Sequence, residues 1–354
     1  MYSLSALVLN YSDIRISVSE IFLMKKPDPA IFWLILLFFS GGCRHGINTY
    51  EPVQAQIEKV YIADYGQALF ALDPLKVKEG LDSLSGRFRF FIGDKPDTLK
   101  VLQIREFIMD PFNRELALKC KEVYPDLIFL EEGLTKTFRN INTVYPKFRV
   151  PDVYTYVSGL LYESPVEYLD SVMIIGLDMF LGWDYEQYRA AGLPVYLTRR
   201  MEPQNIIPEC SRQIAFSLLP KNMQPKTLLD FIILHGKILY AMDLFLPGVP
   251  DSLKIGYTKN QLNWCSENEA EIWRLFIDQE MLYRSDAFLN GRFIQDGPFT
   301  SGLPEGSPAM LGRWIGWQIA RSYMKKNSGT DLTQLFELGD SQQILSGSGY
   351  KPKK

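Results

Sequence analysis

The sequence predicts an α+β fold in which a small sheet packs against a buried long helix and the C-terminal half is mostly helical. Three observations lead there. Two central stretches, Val153 to Leu161 (VYTYVSGLL) and Ser171 to Phe180 (SVMIIGLDMF), are rich in the β-branched and aromatic residues that fit a pleated surface. Residues 228–243 (LLDFIILHGKILYAMD) are apolar on nearly every side, which marks a buried helix. Beyond them the chain reads as mainly helical to its end, and helices, strands, long helix and helices in that order suit one domain.

The elements follow in chain order. Residues 24–42 read as an export signal: Lys25-Lys26, the apolar run Ala30 to Phe39 (AIFWLILLFF), then Ser40-Gly41-Gly42. Ten apolar residues rise only about 15 Å as a helix, half of a bilayer core of roughly 30 Å, so the segment targets the chain and does not span. The small residues stop directly at Cys43, which resembles the lipid-attachment cysteine of a bacterial lipoprotein signal; Ser40 departs from the aliphatic residue usual there, and an ordinary cleaved signal is the alternative. Residues 1–23 resemble no part of a signal, and Met24 is the expected true start. Residues 43–56 form the lipidated N-terminus and a polar tether, and 57–345 a single domain.

Within that domain, 57–93 show alternation in IEKVYIA, ALFAL and RFRFFIG, read as short strands. Thr98 to Tyr124 and Leu127 to Val144 have helical spacing. Proline-rich loops are expected at 194–208, 246–251 and 297–308, and residues 346–354 as a flexible tail. The four cysteines, Cys43, Cys120, Cys210 and Cys265, imply no disulfide framework, although one disulfide stays open to an exported chain. The apolar fraction of 47% suits a globular core, while a formal net charge of −3 with scattered Lys and Arg gives no field for nucleic acid.

The helix around 226–245 carries the chemical question. Thr227 with Asp230 resembles a capping box, and Pro247 and Gly248 stop the helix. Inside it, Gly236, Lys237 and Tyr240 occupy the spacing of a His-Glu-x-x-His zinc motif; the other register uses His235, Gly236 and Leu239. Such a motif needs two imidazoles on one helix face, a third ligand and a Glu to activate water. The chain has two histidines in all, His235 and His45, and the latter lies two residues after Cys43. No metal and no other cofactor is therefore expected. An unpaired ammonium inside an apolar helix is costly, so either Lys237 pairs with a carboxylate from Asp178, Glu267, Glu269 or Glu271, or its stem snorkels to solvent.

Two further helix starts are expected. Ser266 with Glu269 has a capping-box pattern, which competes with a ligand role for the acids at 267–271. Ser307 and Pro308 suit an N-cap and first position, Gly312 and Gly316 allow another helix close, and Trp314 and Trp317 are packing residues or part of a partner surface.

Several runs together carry a family resemblance: Trp264 to Trp273 (WCSENEAEIW), Phe276-Ile277, Leu282 to Asp286 (LYRSD), Ser307 to Ile319 (SPAMLGRWIGWQI), Ile175 to Gly182 (IGLDMFLG), and Gly236-Lys237-x-x-Tyr240. They resemble the gliding motility lipoprotein GldB family of Bacteroidetes, over a span from the signal to roughly Met324. That family looks like a degenerate relative of zincin peptidases. The resemblance implies a zincin-like fold and a non-catalytic, lipid-anchored envelope component acting through other gliding or secretion proteins; Arg44-His45-Gly46 after Cys43 carry no acidic run, which favours a periplasmic orientation over the cell surface. The rival reading is a metal-dependent hydrolase with unconventional ligands around His235; a transporter's substrate-binding lipoprotein would need two hinged lobes.

Overall fold

The computed structural model describes residues 57–304 and 306–352. The signal, Cys43, His45 and the tether lie outside them.

The sheet is mixed, in the order β1-β2-β4-β3. Strand β1 (Ile62–Asp64) runs parallel to β2 (Asp152–Tyr156), and β2 parallel to β4 (Val172–Gly176) with Thr155 opposite Ile175. Strand β3 (Val166–Tyr168) pairs antiparallel with β4 at the other edge. Between β1 and β2 the chain makes six helices: α1 (Tyr65–Phe70), α2 (Val77–Leu84), α3 (Arg89–Ile92), α4 (Thr98–Met109), α5 (Pro111–Val123) and α6 (Ile128–Val144). Helix α6 covers the free edge of the sheet: Thr135 Oγ1 accepts from the Val60 amide at 2.9 Å, and Glu131 Oε1 from the Ile62 amide at 3.2 Å. These contacts satisfy backbone donors that an open edge would leave exposed to pairing.

After β4 come a 3₁₀ turn (Leu177–Met179), α7 (Glu186–Ala190), α8 (Val195–Thr198) and α9 (Ile206–Ser217), which packs on β3. Then follows α10 (Leu228–Phe245), the central buried helix, started by a complete capping box of Thr227 and Asp230. The remaining helices are α11 (Asp251–Ile255), α12 (Lys259–Glu267), α13 (Glu269–Asp278), α14 (Ala287–Ile294), α15 (Leu311–Lys326), α16 (Leu332–Glu337) and α17 (Ser341–Ser348). Helix α10 packs most extensively on α15 and also against α9, α6, α14 and α17. One continuous apolar core joins sheet residues such as Met173 and Ile175 to Ile232, Met242 and Trp317. The mixed α+β class and the helical C-terminal half are those expected.

Local differences have local causes. Of the three strands expected in 57–93, only Ile62–Asp64 forms. ALFAL falls in and just after α1, because Asp64 accepts from the Gln67 amide and starts a helix at Tyr65. RFRFFIG supplies α3 and its caps: the buried N-cap Phe88 and Ile92 are four residues apart, and Phe91 stacks on Tyr65 at 4.2 Å. Ser266 lies inside α12, donating to the Leu262 carbonyl; the helix start there belongs to Thr258 and Gln261, and α13 begins after Asn268. Helix α15 starts at Leu311 rather than at Pro308, since the Thr300 hydroxyl holds the Pro308 carbonyl at 2.6 Å in the preceding loop. The ordered chain also passes residue 345: α17 runs to Ser348, and Tyr350 packs edge-on to Trp273. Cys120, Cys210 and Cys265 are buried free thiols, so no disulfide joins them.

Candidate functional site

The site begins with the packing of α10 on α15. Gly236 and Gly316 sit where the two backbones touch: a Cβ on Gly236 would stand 2.1 Å from the Gly316 carbonyl oxygen. A Cβ on Gly312 would meet the Ile294 side chain at 2.7 Å and the Phe293 carbonyl oxygen at 3.0 Å. Gly236, at the first ligand position of the zinc-motif spacing, is thus a helix-crossing residue.

Lys237 is fully buried. Its ammonium donates to the carbonyls of Leu338 at 2.5 Å and Phe336 at 3.4 Å. Both carbonyls lie at the C-terminus of α16, where the last turn has acceptors without helical partners and the negative end of the helix dipole. Lys237 therefore neither snorkels nor pairs with a carboxylate. Burial brings its pKa down to about 8, so it remains mostly charged near neutrality.

The four carboxylates expected beside it are engaged elsewhere or exposed. Asp178 is fully buried and accepts from the Ser158 amide at 2.7 Å, the Ser158 hydroxyl at 2.8 Å and the Leu160 amide at 2.8 Å. It holds the turn after β2, in which Gly159 and Leu160 both have positive φ. Burial pushes its pKa up, and the three hydrogen bonds oppose that without cancelling it. Glu269 accepts from the Tyr350 hydroxyl at 2.8 Å, Glu271 pairs with Arg274 at 2.8 Å, and Glu267 is exposed.

Tyr240, half-buried, completes the motif spacing without a hydrogen bond among the described residues. His235 is also half-buried and unbonded among them. Burial, with the nearby guanidiniums of Arg313 and Arg212, lowers its pKa to about 3, so the imidazole is neutral. The donor set does not suit zinc: a glycine, an ammonium committed to two carbonyls and a tyrosine stand at the motif, beside one imidazole. Among the described residues no group of three or more His, Cys, Asp or Glu side chains could hold a metal ion.

The charged centre that sequence reasoning missed lies at the C-terminal end of α10. Asp243 accepts from Trp317 Nε1 at 2.9 Å, from Arg321 at 2.7 and 2.8 Å, and from Lys254 Nζ at 2.8 Å. Asp251 adds contacts to Arg321 at 2.9 Å and Lys254 at 3.3 Å, while the Arg321 guanidinium lies 3.8 Å from the Trp317 ring centroid. Burial would raise the Asp243 pKa, but Arg321 and Lys254 outweigh it and hold the carboxyl below its usual range. The signal was an acid late in an apolar helix; its partners come from 11 and 78 residues away, which spacing could not supply. Trp314 and Trp317 are both buried and meet edge to face at 6.0 Å, so they are packing residues here rather than exposed surface.

A family model described as "Gliding motility protein GldB" matches residues 48–352. The chain belongs to the GldB family. No curated protein and no solved structure matches it. Membership in the GldB family implies a role in gliding motility, and the lipoprotein designation in the family label agrees with a lipid-anchored chain. No helix among the described residues is long and apolar enough to cross a membrane.

Proposed function

We propose that this GldB-family chain is a non-catalytic component of the gliding machinery, anchored through acylated Cys43, facing the periplasm and acting by binding other gliding or secretion proteins. Nucleic acid is not among its partners in this reading. The observation that carries it is the use made of the motif positions on α10. Gly236 serves a helix crossing and Lys237 caps a neighbouring helix, so residues placed where a zincin holds ligands and base support the fold instead. The zincin ancestry is part of the same proposal.

Metal analysis of the purified protein, together with gliding assays, tests it. The expected result is no stoichiometric zinc, and loss of both membrane retention and gliding in Cys43→Ala with the fold intact. One zinc per chain that disappears in His235→Gln would favour the hydrolase reading instead. Co-purification from envelope fractions, compared between wild type and Cys43→Ala, identifies the partners.

A further inference from the structure

Next to Leu253 and Gly256, which flank Lys254 in the chain, lies a feature that neither the crossing of α10 with α15 nor the Asp243 centre uses. It is an open cavity of about 380 Å³ lined from the loop before β3, the turn after β4, α8 and the segment that follows it, α9, α11 and the first turn of α15. This volume falls within the range of small-ligand pockets, about 300–1,000 Å³. Part of its wall is apolar, with Met179, Phe180, Leu197, Met201 and Leu253. Its charged lining is Arg200, Arg212 and Arg313 with Glu209, and the solvent-exposed Glu163.

The hydrogen bonds show which of these charges are already used. Glu209 accepts from Arg212 Nε at 3.2 Å and from the Gln213 amide at 3.1 Å. Burial pushes its pKa up, but Arg212 and Arg200 outweigh that and keep it ionised, below the usual carboxylate range. Arg212 also donates to the Lys254 carbonyl at 2.8 Å, and Arg200 pairs with Asp296 at 2.6 Å. Arg313 is different. Its Nε donates to the Ile294 carbonyl at 2.7 Å, yet among the described residues it has no carboxylate within salt-bridge distance. Burial, with Arg212 and Arg200 close by, brings its pKa down to about 10. A guanidinium held partly out of water beside two others, with terminal N–H groups unspent, favours an oxyanion that can accept two parallel hydrogen bonds.

We propose that this cavity binds an organic oxyanion, a carboxylate or phosphate carried on an apolar group, with the anion on Arg313 flanked by Arg212 and Arg200 and the carrier against Met179, Phe180 and Leu253. The site stands independently of the motility role and of the absence of catalysis. Neutral His235 borders the same guanidiniums and adds no charge to oppose the anion.

Calorimetric titration of the full-length purified protein tests this with N-acetyl-leucine, its uncharged amide, hexyl phosphate and inorganic phosphate. At least one of the two apolar anions is expected to bind about tenfold or more tightly than the uncharged amide, and to weaken with added salt. Whichever is tighter tells carboxylate from phosphate. No preference of either anion over the amide overturns the proposal, and inorganic phosphate binding as tightly as hexyl phosphate removes its apolar half. Arg313→Gln is expected to lose about tenfold in affinity; an unchanged affinity overturns the site. If that variant does not fold, Arg200→Gln, at a more exposed guanidinium, decides the question: a several-fold loss supports the site, and wild-type affinity overturns it.

Discussion

Gly316 presses against α10 so closely that a Cβ at this position would lie 1.9 Å from the carbonyl oxygen of Ile232. The obstruction is backbone, not the far end of a flexible side chain. Relief would require separating α10 from α15, the most extensive helix pair in the fold, and disturbing Ile232, Ile315 and Trp317 in the core. Gly316→Ala is therefore expected to lose at least about 3 kcal/mol of stability, measured by urea unfolding. Gly329→Ala, where a Cβ meets nothing within 4 Å, is the control and should change little. Equal stability of the two variants would contradict the close crossing.

Asp243 supplies the second tie between these helices. An Asn there keeps the shape but removes the charge, leaving Lys254 and Arg321 facing one another with only Asp251 to share. Asp243→Asn is expected to cost about 3 kcal/mol. The folded-state pKa of Asp243 is depressed, so its contribution is present above the ordinary carboxylate range and is lost as pH falls through the folded value. Wild type should consequently lose its advantage over Asp243→Asn on acidification, as read from melting temperatures between pH 7 and pH 3.

Lys237 gives a slope of the same sign, at the alkaline end of the scale. Its pKa is lowered on folding from 10.5 to about 8, so between those values the unfolded chain binds more protons than the folded one. The unfavourable burial of the ammonium is at full strength below about pH 8 and fades as pH rises toward 10.5. Relative to Lys237→Met, wild type should gain stability from pH 7.5 to pH 10, because the comparison cancels the tyrosines that titrate in both proteins. Parallel pH curves would show that the side chain is solvated. At pH 7.5, Lys237→Met should also loosen α16, whose terminal carbonyls lose their donor, as seen in faster amide exchange over residues 332–338.

The sequence made the central helix legible because its signals are local: Thr227 and Asp230 are three residues apart, and the apolar faces need no partner to be recognised. The same locality explains the misplaced starts at Ser266 and Ser307, where a cap-like pattern was overruled by Thr258 and Gln261 in one case and by the Thr300 hydroxyl in the other. Site residues divide along the same line. Gly236 and Gly316 could be singled out as small residues on helix faces, although only their juxtaposition shows that they meet each other. The partner of Lys237 could not be found by searching for carboxylates, since backbone carbonyls 99 and 101 residues away carry no side-chain signature. Arg200, Arg212 and Arg313 gave no cluster in the sequence because three separate elements bring them to one cavity.

His235 offers a last check on the motif helix. Burial first, and Arg313 and Arg212 second, lower its pKa from 6.5 to about 3. Between those values the unfolded chain takes up a proton that the folded chain refuses, so the stabilising contribution of neutral His235 is complete above about pH 6.5 and declines as pH falls toward 3. His235→Gln should be less sensitive to acid over that window than wild type, and an imidazole NMR titration in a His45→Gln background should show no midpoint between pH 5 and pH 7.5. A midpoint near 6.5 would place the ring in water, away from the guanidiniums. The same titration separates the two readings of this helix, since a ring ligating zinc would shift its signals on chelation, whereas the ring described here would not respond.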